Sequence, residues 1–174
     1  QAANDKLITT LDGGPKSRKM YAKALQTAME GDSRPKMKFF ALLNRKPYKR
    51  EDKLDEDALC AFMKEYPDFC QEVYRFEAFH RDLLHPLHML AALSADLATI
   101  RLCFKNCEAA LFHDASQLGA PLHYAVTFNA SFDMIRWFVK KDMDALQLPN
   151  QADKHTPLHL AVLYEADSET CFFL

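Results

Sequence analysis

The sequence predicts an all-α chain built from stacked helix pairs, and three observations carry that prediction. First, Pro-Leu-His occurs three times, at Pro86-Leu87-His88, Pro121-Leu122-His123 and Pro157-Leu158-His159, with the prolines 35 and 36 residues apart. Second, an apolar run lies 13 to 17 residues beyond each proline. It reads Thr99-Ile100-Arg101-Leu102-Cys103, then Met134-Ile135-Arg136-Trp137-Phe138, then Thr170-Cys171-Phe172-Phe173-Leu174. Third, Glu108-Ala109-Ala110-Leu111 and Met143-Asp144-Ala145-Leu146 precede the second and third prolines at nearly equal distances. One short match arises by chance; shared spacing across three copies does not.

Each copy reads as helix, short loop, helix and extended connection. Proline at the first turn of a helix gives up no hydrogen bond, because that N–H has no partner within the helix. Thr156 is a good N-cap ahead of Pro157, whereas His85 and Ala120 are poorer ones. Small and apolar residues follow on one face (Leu122, Ala125, Val126), which lets a neighbouring pair approach closely. A single helix pair cannot bury such a face, so the copies must stack. The boundaries are 85–119, 120–155 and an incomplete copy at 156–174.

The N-terminal third divides into an extension and a degenerate capping repeat. Over residues 37–84, Phe39, Phe40, Leu42 and Leu43 predict a first helix. Ala58, Leu59, Phe62, Met63 and Tyr66 predict a second over Asp57–Phe69, stopped by Pro67. A terminal repeat is expected to be atypical because one of its faces meets water. Residues 1–36 form a polar extension containing Asp12-Gly13-Gly14-Pro15. Met20, Ala24, Leu25 and Ala28 predict one helix there, from about Lys16 to Met29. That helix either docks on a partner or belongs to a loosely held tail.

The sequence Thr156-Pro157-Leu158-His159-Leu160-Ala161 resembles the ankyrin-repeat family, whose signature is T-P-L-H-x-A at a period of about 33 residues. The second copy, Ala120-Pro121-Leu122-His123-Tyr124-Ala125, lacks only the threonine. The first has His85 for Thr and Leu90 for Ala. The resemblance covers about residues 57–174 and is strongest from 85 onward. It departs from the family at the hairpin glycine, where Leu118 and Lys154 stand and Gly119 is displaced by one. The Gly-His after the first helix is also missing, with Asn129 and Glu165 nearby.

The resemblance implies an ankyrin solenoid in which Pro86, Pro121 and Pro157 open first helices. It implies that His88, His123 and His159 hydrogen-bond within and between repeats. It also places partner contacts on the concave face, at positions six and seven past each proline. Those are Ala92 and Leu93, Thr127 and Phe128, and Leu163 and Tyr164. Exposed positions are ordinarily polar, so a mostly apolar set points to a protein contact. The alternative is that these side chains pack between repeats or are covered by parts of the protein missing from this sequence.

Composition narrows the function classes. With 174 residues and 49% apolar content the chain can bury a core, and its net charge of −2 argues against a life of phosphate contacts. A basic segment (Lys36, Lys38, Arg45, Lys46, Lys49, Arg50, Lys53) carries Phe39, Phe40 and Tyr48 among its charges. It reads either as a nucleic-acid or acidic-partner patch or as a solvated loop cancelled by Glu51, Asp52, Asp55, Glu56 and Asp57. The five cysteines, Cys60, Cys70, Cys103, Cys107 and Cys171, are odd in number and form no C-x-x-C. Reduced thiols fit an intracellular setting, cytoplasmic or inside an organelle. No apolar run approaches the roughly 20 residues of a membrane span.

His80, His85, His88, Cys103, Cys107 and His113 include soft and borderline metal ligands. The plainer reading makes the histidines repeat residues and the cysteines small core residues. No Gly-rich phosphate loop, G-x-S-x-G or paired-carboxylate motif accompanies them. The expectation is a non-enzymatic adaptor or scaffold with no metal and no cofactor, binding another protein through the groove. Nucleic acid, membrane insertion and a small-molecule substrate are not expected. The alternatives are a structural subunit of a large assembly and the non-catalytic part of a longer enzyme.

Overall fold

A computed structural model describes residues 34–48, 53–79, 82–112 and 117–174. Among the described residues the fold is all-α, with eight α-helices and no sheet. The chain divides into two units, Gln1–Lys38 and Phe39–Leu174. The helix predicted over Lys16–Met29 lies outside the described residues, as do Lys49, Arg50, His80 and His113.

Helix α1 spans Arg34–Leu43 and α2 spans Glu56–Glu65. The α2 start is written in its sequence. The Asp55 carboxylate accepts from the Ala58 N–H at 3.0 Å, and Glu56 and Asp57 place negative charge on the first turn. The predicted helix over Asp57–Phe69 breaks at Tyr66, because Pro67 disfavours helical geometry in the residue before it. Pro67–Cys70 then continues as a 3₁₀ turn. Phe39, Phe69, Tyr74 and Phe76 gather around the inner side of α1, with Phe40 stacked on Phe76 at 5.5 Å.

Three helix pairs follow in the predicted register. Their first helices are α3 (Pro86–Ala92), α5 (Pro121–Thr127) and α7 (Pro157–Leu163), each beginning on its proline. Their second helices are α4 (Leu97–Asn106), α6 (Phe132–Lys141) and α8 (Ser168–Phe173). The Ala-Leu stretches at Glu108–Phe112 and Asp144–Leu146 both form 3₁₀ turns, with Ala110, Leu111 and Ala145 buried.

All three first helices end in one motif. The residue eight past each proline, Ser94, Asn129 or Glu165, takes a positive φ of 53–54°. The next residue is alanine each time, and its N–H reaches back to Leu90, Ala125 or Ala161 at 3.1, 2.9 and 2.9 Å. The N–H of the left-handed residue itself bonds Ala91, Val126 or Val162. This double bond closes the exposed carbonyls of a helix end. The Gly-His missing from the sequence is thus replaced by a non-glycine residue held in the glycine conformation.

The pairs pack in chain order. Helix α3 lies on α5, α5 on α7, α2 on α4 and α6 on α8. At one end of the α2–α4 contact, Glu56 accepts from the Asp96 N–H and from the Thr99 hydroxyl, the latter at 2.6 Å. At the other, the Asn106 amide donates to the Met63 carbonyl at 2.9 Å. Phe104 and Trp137 meet edge-on at 5.3 Å between α4 and α6, with the Lys141 ammonium 4.9 Å over the Phe104 ring. The connections also touch in sequence: Gln117 N–H donates to Asp82, and Ala152 N–H donates to the Gln117 carbonyl. One continuous apolar core runs from Phe39 to Ala161.

Candidate protein-contact surface

The three prolines are buried and open their helices, but their histidines do different work. His88 is buried and stands edge-on to Tyr124 of the following pair at 5.4 Å. His123 is buried and its Nε2 donates to the Leu148 carbonyl at 2.9 Å, binding α5 to the connection beyond α6. His159 is exposed and stays local. Its Nδ1 accepts from the Thr156 N–H at 3.3 Å and lies 2.7 Å from the Thr156 hydroxyl, closing the cap of its own helix.

The positions six and seven past each proline divide sharply. Ala92 is buried, and Leu93 and Phe128 are half-buried against the core. Thr127 is half-buried as well. Phe79, from the connection before α3, covers this part: its ring stands edge-on to Tyr124 at 5.2 Å and to Phe128 at 5.7 Å. In the third copy the same positions are open, with Leu163 57% and Tyr164 46% exposed.

Sequence reasoning missed the neighbours of Leu163. Leu158 and Val162, one and five residues past Pro157, are 41% and 67% exposed. Their register mates Leu87 and Ala91, and Leu122 and Val126, are buried, on helices that each have the next first helix packed against them. Phe172 on α8 is 92% exposed and stands in the register of Arg101 and Arg136. The detectable signal was that comparison: one register position, cationic twice and aromatic once. Exposed apolar side chains at positions otherwise buried are the mark of a contact surface.

The groups able to do chemistry are drawn into packing. Cys70, Cys103 and Cys107 are buried, Cys60 and Cys171 half-buried, and all five are free thiols. A hydrogen bond between Cys103 and Cys70 holds the Cys103 thiol well above its ordinary range, and burial adds to it. The same bond lowers Cys70 against the opposing effect of burial, helped by the Asn106 amide at 3.7 Å. Arg45, in the basic segment, turns back to donate to the Leu42 carbonyl at the end of α1. Among the described residues no three His, Cys, Asp or Glu side chains gather closely enough to hold a metal ion. Among the same residues no helix is long and apolar enough to cross a membrane.

The chain matches no protein-family model, no curated protein and no solved structure.

Proposed function

We propose that this chain is a divergent ankyrin-repeat module, a non-catalytic adaptor or scaffold that binds another protein through its third helix pair. The observation carrying the reading is the exposed series Leu158, Val162, Leu163 and Tyr164, apolar at positions that α3 and α5 keep covered or half-covered. Support for the repeat assignment is internal. Three prolines open three helices of equal length, three left-handed turns end them, and the inner helices pack in order. Ordinary side-chain transfer energies of about 1.5–3 kcal/mol for a fully buried Leu or Val explain why such a face favours a partner over water.

The absence of catalysis belongs to the same proposal, and is supported by the structural tasks that the histidines and thiols already perform. Five free thiols support an intracellular setting, cytoplasmic or within an organelle. Phe172 gives a second reading some weight, since a phenyl ring this exposed suits a permanent subunit of a large assembly. Affinity purification of wild type and of a Leu163→Ser/Tyr164→Ser variant from the same cells tests both. The adaptor reading expects one or more stoichiometric proteins lost from the variant at unchanged far-UV circular dichroism. An identical set of captured proteins would refute it. Co-elution in a large particle at all concentrations selects the assembly subunit.

A further inference from the structure

Two of the five thiols meet across a junction between elements far apart in the sequence. Cys70 is the last residue of the Pro67–Cys70 turn, Cys103 lies within α4, and the turn packs on α4. Both side chains are buried, and a hydrogen bond joins their sulfurs. The Asn106 amide clamps the same junction, donating to the Met63 carbonyl at 2.9 Å and to the Cys70 sulfur at 3.7 Å. Core cysteines ordinarily pack as small apolar side chains among others. These two are set sulfur to sulfur.

We propose that Cys70 and Cys103 are a redox pair, closing to a disulfide within the folded chain when a hydroperoxide reaches them.

A third buried thiol, Cys107, stands near enough to compete, and helix geometry excludes it. Cys107 caps α4, and its N–H bonds the Cys103 carbonyl at 3.0 Å, so the last turn is regular. Side chains four apart on such a turn have their Cβ atoms about 5–6 Å apart, whereas a disulfide requires about 3.5–4.5 Å. Pairing Cys103 with Cys107 would unwind the helix end. Pairing it with Cys70 follows a contact already made.

The two sulfurs are unequal in a way that suits the reaction. The bond from the Cys103 thiol and the Asn106 amide both lower Cys70, so Cys70 is the thiolate that attacks and Cys103 keeps its proton. Cys70 takes one peroxide oxygen: an S–O bond forms, the O–O bond breaks, and the departing hydroxide takes up the proton Cys70 had released. The Cys103 sulfur then attacks the sulfenic sulfur. An S–S bond forms as the S–O bond breaks, and the Cys103 proton leaves with the hydroxyl as water. Two thiols lose two electrons in all, and one peroxide becomes two waters. Hydrogen peroxide is little larger than water, so it enters packing that shuts out a bulky aromatic disulfide.

The product ties the turn beyond α2 to α4 and closes a loop of about 30 residues, which restricts the unfolded chain. Where thiols are otherwise kept reduced, a disulfide of this kind is transient and reports oxidation. The oxidised molecule is thus one whose first helices are locked to the stack.

The test treats the whole reduced chain, dilute and in native buffer, with hydrogen peroxide. Remaining thiols are alkylated in urea, and peptides are mapped by mass spectrometry without reduction. The expected product joins the Cys70 and Cys103 peptides with the loss of two hydrogens and leaves Cys107 alkylated. Far-UV circular dichroism is unchanged, and the melting temperature rises by about 5–10 °C, reversed by dithiothreitol. Cys107→Ala gives the same crosslink. A Cys103–Cys107 bond overturns the proposal. So do Cys70 and Cys103 that remain alkylatable after the half-buried Cys60 and Cys171 are consumed. A crosslink found only in molecules that have lost their helical signal also overturns it, because the pair then joined in the unfolded chain.

Discussion

Gly119 and His123 are locked together: a Cβ placed on Gly119 would lie 2.9 Å from the His123 ring. Gly119 also has φ of +105°, a conformation that L side chains rarely adopt. Gly119 therefore serves two ends, the turn before Pro121 and the space for a buried ring. That ring carries the bond from His123 Nε2 to the Leu148 carbonyl. Gly119→Ala must strain the backbone and push the ring off its acceptor. The expected loss is about 2–4 kcal/mol in urea unfolding. A loss under about 0.5 kcal/mol, within the range of ordinary surface changes, would show that the ring yields freely.

Glu165 at φ of 54° exemplifies the opposite situation. It is exposed, and its backbone is strained without any packing requirement for its side chain. Left-handed geometry costs an L-residue about 1–2 kcal/mol, and glycine escapes this while losing some chain entropy. Glu165→Gly is expected to stabilise by about 0.5–1 kcal/mol, and Asn129→Gly by less because Asn tolerates the conformation. Chemical denaturation of both variants measures the difference, and equal or negative changes would contradict the strain account.

The three prolines, the Ala-Leu turns and the helix break at Pro67 were legible because each is a local backbone preference. The left-handed ends were legible only as an anomaly, since Ser94, Asn129 and Glu165 share no side-chain chemistry and agree only in φ. The proposed contact positions were read from register alone, and that reasoning could not see Phe79. Its ring reaches Phe128 from 49 residues upstream and turns an apparent groove residue into a packed one. Leu158 and Val162 escaped notice for the converse reason. Their pattern matches Leu122 and Val126, and pattern alone does not say whether a further helix lies on top.

That difference in cover separates Phe128 from Tyr164, which share one register position. Phe128 packs on the core and on Phe79, so Phe128→Ala is expected to cost about 2–4 kcal/mol. Tyr164 is exposed, so Tyr164→Ala should change stability by less than about 0.5 kcal/mol. Thermal melts of the two variants side by side decide this; equal destabilisation would mean that the two positions are equally covered.

The thiols offer a check on burial that needs no substitution. Cys60 and Cys171 are half-buried, whereas Cys70, Cys103 and Cys107 are buried. A thiol reacts as its thiolate, so access and acidity act together, and Cys103 is disfavoured on both counts. Labelling with a disulfide reagent should modify Cys60 and Cys171 in the native protein. The other three should follow only at the rate of unfolding, read by mass spectrometry of the labelled peptides. Rapid modification of Cys103 would place α4 elsewhere.

Tyr74 carries the clearest pH dependence. Its hydroxyl donates to the Phe69 carbonyl at 3.0 Å, and its phenol is raised above the ordinary range, chiefly by burial and then by the Glu72 charge. The folded chain therefore keeps this proton at a pH where the unfolded chain releases it. From about pH 10 upward the unfolded state gains stability and the folded state does not, so unfolding free energy falls as pH rises. Below that pH the group contributes no slope, because both states are protonated. Tyr74→Phe loses one hydrogen bond, about 1 kcal/mol, but removes this group's share of the alkaline decline. Melting temperatures of wild type and variant should therefore converge between about pH 9 and 11. A constant gap across that window would mean that the phenol ionises alike in both states.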